Sequence, residues 1–192
     1  SEAVFYKFPG EGGTHVRLRI TAPSVQGVPL SYLRLGDFVE YNQQNGQSSI
    51  ESMVFGIPTD AADMPRSGRA NYTVAVTGMG YVGEDWSWDL SDDSIATFSA
   101  DFGRGKVTTS LDVVNTVMIA PWSYFTEGMR HFEGSGAISG VGYSGVFGKG
   151  TGVFEGAFFG PAAAETGYSF FIDDGSMTAH GFVFGVKADS RR

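Results

Sequence analysis

The stretch that most limits what this chain can become is GVFEGAFFGPAAAETGYSFF, from Gly152 to Phe171. Val153, Glu155, Ala157 and Phe159 alternate with Gly152, Phe154, Gly156 and Phe158. Successive strand residues point to opposite faces, so this is a period-2 pattern with apolar groups on both faces. Glycines inside such a run mark a bend, a bulge or a close backbone approach. Gly160-Pro161 stops the strand. PAAAE suits one helical turn, because proline is tolerated at the first helical position. Gly167 lets the chain turn back into YSFF. The unit reads as strand, short helical corner, strand.

The same pattern fills most of the sequence. NYTVAVTG, SIATFSADF, KVTTSLDVV, HFEGSGAIS, YSGVFGK, TGVFEGAFFG, YSFFID and MTAHGFVFGVK are short strand-like runs. Tight links such as GRG and Asp174-Gly175 join them, as in hairpins. Met118 to Gly128, with Pro121 and several aromatics, reads as irregular. The chain has 16 Phe and 28 Gly in 192 residues, and its only helical pattern is the PAAAE corner, which favours an all-β fold. About eight adjacent strands predict an antiparallel meander closed into a barrel, an arrangement without exposed edges.

Residues 1–60 differ. HVRLRI sets Val16, Leu18 and Ile20 on one face and Arg17 and Arg19 on the other. YNQQNGQSSIES reads as a polar loop turning at Asn45-Gly46. IPTDAADMPRSG, with two prolines, cannot continue a ladder. The expected organisation is a small β subdomain over residues 1–60 and an eight-stranded barrel over 61–192.

A formal net charge of −8 argues against nucleic acid as partner, since phosphate binding needs a positive face. No run of 18 apolar residues is present to span a membrane as a helix. There is no cysteine, hence no disulfide. The sequence opens on SEAVFYKF without Met or a leader, so the expectation is a mature or trimmed form, cytosolic or exported.

Several runs carry a family likeness: GIPTDAADMPRSGRANY, TFSADFGRGKVTTSL, GVFEGAFFGPAAAETGYSF and the closing GFVFGVK. Over about residues 56–187 the chain resembles the barrel domain of transferrin-binding protein B and its relatives, which include factor H binding protein and secreted haem-binding proteins. The most specific parts are F-F-G-P-x-A-x-E-x-G, Phe158 to Gly167, and F-G-x-K, Phe184 to Lys187. The resemblance implies an eight-stranded barrel preceded by a smaller β "handle". It implies export to a bacterial outer-membrane surface, or secretion, and a membrane link only through a lipid anchor trimmed from this form. It also implies binding of a host protein, an iron carrier or haem by loops and barrel ends, with an outer-membrane receptor or translocator as a further partner.

Individual residues support binding rather than catalysis. G-x-S-x-G, P-loop and H-E-x-x-H patterns are absent, as is a Cys nucleophile. Gly156, Gly160, Pro161, Glu165 and Gly167 read as a structural motif, with the Glu165 carboxylate taking backbone N–H groups at the corner. His131 follows Trp122, Tyr124, Phe125 and Met129. An axial His beside apolar walls is what haem needs, so haem is the one cofactor considered; the other reading of His131 is an ordinary loop histidine. Trp122, Tyr124 and Phe125 divide between binding surface and barrel core, while Trp86 and Trp88 read as core. The acidic turns at Asp60, Asp92 and Asp173 suit Asx turns as well as calcium. The leading function is a non-enzymatic exported binding protein in haem or iron acquisition. The alternatives are a purely protein–protein module for adhesion, host-factor binding or surface assembly, and a structural component of a surface layer.

Overall fold

The computed structural model describes residues 2–7, 13–46, 48–82, 86–90, 92–120, 123–148 and 150–188. The first part of the chain makes a four-stranded antiparallel sheet from β1 (Glu2–Lys7), β2 (Thr14–Thr21), β5 (Leu33–Asn42) and β6 (Ser48–Gly56), in the order β1-β2-β5-β6. Between β2 and β5 lies a minute hairpin, β3 (Ser24–Val25) with β4 (Val28–Pro29). Strand β6 corrects the polar-loop reading: SSIES is extended, and only residues 43–46 turn, with Gly46 at φ 70°. Its serines and Glu51 disguise it, because an edge strand need not alternate cleanly in hydrophobicity.

The second part is the barrel. Strands β7 (Arg69–Val82), β9 (Ile95–Asp101), β10 (Lys106–Ala120), β11 (Ser123–Ser139), β12 (Gly142–Phe147), β13 (Gly152–Phe159), β14 (Glu165–Asp173) and β15 (Thr178–Lys187) pair with sequential neighbours, all antiparallel. β15 closes the ring on β7, from Thr178↔Tyr81 to Lys187↔Tyr72. β8 (Trp86–Asp89) extends β7 as a hairpin outside the ring. The expected all-β class and closed eight-stranded barrel are what the chain forms.

The barrel interior is filled with rings. Tyr72, Phe98, Tyr143, Phe154, Phe158 and Tyr168 are all buried and touch one another. Centroid separations are 5.0 Å for Tyr143–Phe158, 5.1 Å for Phe98–Tyr143 and 5.2 Å for Phe154–Tyr168. Each buried phenol finds a partner: Tyr168 with the Thr109 hydroxyl at 2.6 Å, Tyr143 with Thr166 at 2.7 Å, and Tyr72 donating to the Ala163 carbonyl at 2.8 Å. Burial pushes all three phenols above their ordinary pKa. Such rings need space, which accounts for the glycines among them. A Cβ at Gly145 would lie 2.4 Å from Cζ of Phe154 on the next strand, and one at Gly134 would lie 3.0 Å from the Phe147 ring.

The two-faced pattern of β13 now has a cause. Gly152, Phe154 and Phe158 line the interior side and are buried. On the outer side Val153 and Glu155 are exposed, whereas Phe159 is buried beneath the handle. There Leu33 and Leu35 of β5 pack with Phe159, Phe182 and Phe184 in a second core.

The corner after β13 holds this joint. Gly160 has φ 70°, and the Tyr32 ring lies so close that an added Cβ would sit 2.4 Å from its Cδ2. The single helical turn expected for PAAAE forms as a 3-10 turn at Pro161–Ala163, with Ala162 and Ala163 at φ 52° and 56°. Left-handed alanines cost roughly 1–2 kcal/mol each. They are held there because Ala163 is fully buried with its carbonyl taking the Tyr72 hydroxyl, while the Ala162 carbonyl takes Lys187 Nζ at 3.1 Å. Next comes Glu165, 5% exposed. Its Oε1 accepts the Ser31 N–H at 2.6 Å, and its Oε2 accepts those of Tyr32 and Leu33, both at 2.9 Å. Gly167 gives the handle room, since a Cβ there would meet Leu33 Cδ1 at 2.5 Å.

Glu165→Gln tests this clamp. The amide has one acceptor oxygen and turns an NH2 towards N–H donors, so charged hydrogen bonds worth about 1.5–3 kcal/mol each are lost. Chemical denaturation should show a loss of about 2–4 kcal/mol. Amide exchange at Tyr32 and Leu33 should accelerate more than exchange inside the barrel.

Candidate functional site

At one end of the barrel the β10–β11 hairpin outruns its neighbours. β9 pairs with β10 only as far as Ile95↔Asp112, and β12 pairs with β11 only from Gly134 onward. Beyond those points, Val113 to Ala120 and Ser123 to Glu133 form a two-stranded ribbon. Eight residues at about 3.3 Å each carry it about 25 Å past the last paired neighbour. Val113, Val114, Thr116 and Val117, with Tyr124, Phe125 and Thr126 opposite, are the β-branched and aromatic types that favour extended chain. The irregular reading of Met118 to Gly128 is therefore corrected: Met118 and Ala120 close β10, and β11 begins at Ser123. Among the described residues the irregularity is confined to register shifts between Asn115/Thr116 and Met118/Ala120, which twist the ribbon, while Pro121 and Trp122 lie outside the described residues.

Polar bonds fasten the ribbon's base. The Val114 N–H donates to Ser94 Oγ at 3.0 Å. Arg130 Nη1 donates to Asp174 Oδ2 at 2.8 Å and to Ser176 Oγ at 2.6 Å, tying β11 to the β14–β15 turn. The Ser176 hydroxyl foremost, with backbone N–H groups and Arg130, holds the Asp174 carboxyl down to about 2. Asp173 and Asp174 also accept turn N–H groups from Gly175, Ser176 and Met177. Asp60 likewise accepts the Ala62 N–H at 2.7 Å.

His131 sits opposite Asp112 at the foot of the ribbon and is exposed. Its Nδ1 lies 2.5 Å from Asp112 Oδ1 and its Nε2 lies 2.9 Å from Glu133 Oε1. The hydrogen bond with Asp112 first, and then that with Glu133, raises its pKa above the usual value. Neighbouring Met129 is 67% exposed. Tyr124 pairs with Met118 and Phe125 with Val117, so both lie on the ribbon, but their side chains fall outside the described set. Trp122 lies outside the described residues. Trp86 and Trp88 are on β8, again without described side chains.

A second concave region was not visible in the sequence. A cleft of about 570 Å³ separates the handle sheet from the barrel wall, lined by Arg17, Arg19, Asp37, Met79, Asp89 and His180 among others. Arg19 pairs with Asp37 across β2 and β5. His180 is half-buried and stacked on Tyr81, rings 5.8 Å apart and 14° from parallel. Burial lowers its pKa, against the pull of Asp37. The arginines of HVRLRI thus face the barrel. Alternation told which residues share a face, but no signal in the sequence told which face turns inward.

Comparison with known proteins follows the same architecture. Residues 64–188 match the family described as the C-lobe and N-lobe β-barrels of Tf-binding protein B. A transferrin binding protein B double mutant from Haemophilus parasuis is 20% identical, with TM-score 0.59 over 97% of this chain and 37% of that one. Isotype 1 transferrin binding protein B from Neisseria meningitidis is 18% identical, with TM-score 0.55 over 97% of this chain and 35% of that one. A protein described as a surface lipoprotein is 14% identical, with TM-score 0.52 over 88% of this chain and 81% of that one. The chain thus spans little more than a third of the two transferrin binding proteins. No curated protein matches it. With the family matched over most of its length, and over every strand of the closed ring, the chain belongs to the family of transferrin-binding protein B β-barrels.

Proposed function

We propose that this chain is a non-enzymatic, surface-displayed bacterial binding lobe that grips an iron-carrying protein with the β10–β11 ribbon and the rim loops beside it. The observation that carries this reading is the contrast between a ring-filled interior and a ribbon projecting past the rim. Among the described residues the interior is packed with rings, whereas a projecting ribbon suits a protein surface. Relatives of this fold are named for binding transferrin, and another is described as a surface lipoprotein. Those names support an iron carrier as the partner and the outer surface as the location. Trp122, Tyr124 and Phe125 are the proposed anchors, because aromatic side chains dominate binding hot spots. His131 lies at the ribbon's foot between the carboxylates of Asp112 and Glu133. An axial bond to haem would require His131 to surrender one of its two carboxylates.

Binding can be measured on immobilised iron-loaded transferrin. Tyr124→Ala with Phe125→Ala should weaken it at least about tenfold, and Met129→Ala severalfold, with the melting temperature nearly unchanged. A haem titration in parallel should leave the Soret band where free haem has it. A Soret shift abolished by His131→Ala, with no transferrin bound, would instead establish the haem reading.

The two histidines predict opposite responses to pH. His131 has a raised folded pKa, so its pairing stabilises fully below the unfolded value of about 6.5 and fades as pH rises through the folded value. His180 has a lowered folded pKa, so its contribution is present above about 6.5 and is lost as pH falls through the folded value. Imidazole NMR should show Asp112→Asn bringing the His131 pKa down. Corrected for intrinsic rates, amide exchange on acidification from about pH 7.5 to about 5.5 should slow at the ribbon foot and quicken around the His180 cleft.

A further inference from the structure

Among the described residues, the handle sheet has one apolar face with no element packed on it. Its arginine side lines the cleft against the barrel, so its other side points away from the molecule. That outward side carries Phe5, Val16, Leu18, Ile20, Phe38 and Met53. None of the six joins either buried core, and Phe5 and Met53 are 58% and 38% exposed. Four strands about 4.8 Å apart and about seven residues long make a face of about 400 Å². Apolar patches of that size mark interaction sites.

We infer that this face pairs with the same face of a second copy of the chain, across a two-fold axis lying in the interface and perpendicular to the strands. The argument is one of complementarity. In such an isologous contact residue i meets j and j meets i. With the axis between the cross-strand rows of Leu18–Phe38 and Ile20–Gly36, Leu18 of one copy meets Ile20 of the other. Phe5 meets Ala3, large against small. Phe38 meets the apolar cover that Met53 and Phe55 make over Gly36, where their side chains approach a built Cβ to 2.9 and 3.1 Å, and on the edge strand β6 Glu51 faces Met53. One row further out, Glu40 of each copy meets Arg34 of the other. Glu40 is exposed, and only Nη1 of Arg34 is engaged among the described residues, by the carbonyls of Leu30, Ser31 and Leu33. Aligned sheets cross at about 30°, so the match is closest on the central strands β2 and β5, which carry both the apolar centre and the charge pairs. The face is smaller than the roughly 800 Å² per copy of a standard interface, so the dimer is weak and concentration-dependent. This pairing goes beyond the binding role above and does not rest on it.

Sedimentation velocity on the full chain from about 1 to about 200 µM tests it. A reversible monomer–dimer equilibrium is expected. Glu40→Arg and Arg34→Glu, each alone, should raise the dissociation constant at least about tenfold by setting like charges opposite each other. Mixing the two variants should restore dimer, because the heterodimer regains both opposite-charge pairs. Phe5→Asp, at an exposed position, should also abolish dimer while leaving the far-UV circular dichroism unchanged, and it decides the matter should Arg34→Glu fail to fold. A monomer throughout the range overturns the inference. So does a dimer indifferent to Glu40→Arg and Phe5→Asp, or a mixture of folded charge variants that stays monomeric.

Discussion

One carboxylate joins the two sheets of this protein. Glu165 emerges from a left-handed corner of the barrel and accepts three consecutive backbone N–H groups of the handle. Those groups belong to Ser31 and Tyr32, just before β5, and to Leu33, its first residue. One largely buried carboxylate thereby satisfies three consecutive backbone donors. The surroundings follow from it. Gly160 must lack a side chain because Tyr32 lies on it, and Gly167 because Leu33 does. Phe159 turns outward to meet Leu33 and Leu35 in the joint core. The motif around Glu165 is thus an intersheet clamp in which each small or charged residue answers a particular handle residue.

The ring-filled barrel has a second consequence. Aromatic side chains with bonded phenols pack the described interior closely, so the binding role proposed above falls to strands and loops outside it. Long strands then matter more than the barrel's volume. A two-stranded hairpin is marginal by itself, so a projecting ribbon needs support at its base. Ser94, the Arg130–Asp174 pair and the Asp112–His131–Glu133 chain all sit where the ribbon leaves the barrel.

The barrel was legible because two periodicities coincide in its strands. Large rings alternate along β13 and β14, and glycines stand where rings from the next strand need room, as Gly145 does against Phe154. The carboxylate at Glu165 was legible as a group satisfying backbone donors, yet its donors lie more than 130 residues away, on the handle. Three features were not legible. SSIES forms a strand because β5 offers it an edge, not because its residues alternate. The alanines of the corner take left-handed angles that only their tertiary contacts enforce. The face of HVRLRI that turns inward is decided by the wall opposite, and period-2 alternation carries no sign.

That last ambiguity bears on how the charged residues are placed. A polar sheet face is ordinarily the wet one, with apolar residues packed against the next layer. In the handle the order is reversed away from the joint. Leu33 and Leu35 bury the near end of the inward face, but further out that face carries Arg17, Arg19 and Asp37 around an open cleft. The cleft is lined by the Arg19–Asp37 pair and the half-buried His180, polar groups that would lose hydration if the sheet closed onto the barrel wall. Burying the arginines against Phe182 would strip their hydration with one carboxylate to compensate, which is costly. The apolar residues of β2 are therefore driven outward by the charge of their alternates. A single strand pattern thereby leaves a polar cleft on one side of the sheet and an uncovered apolar face on the other.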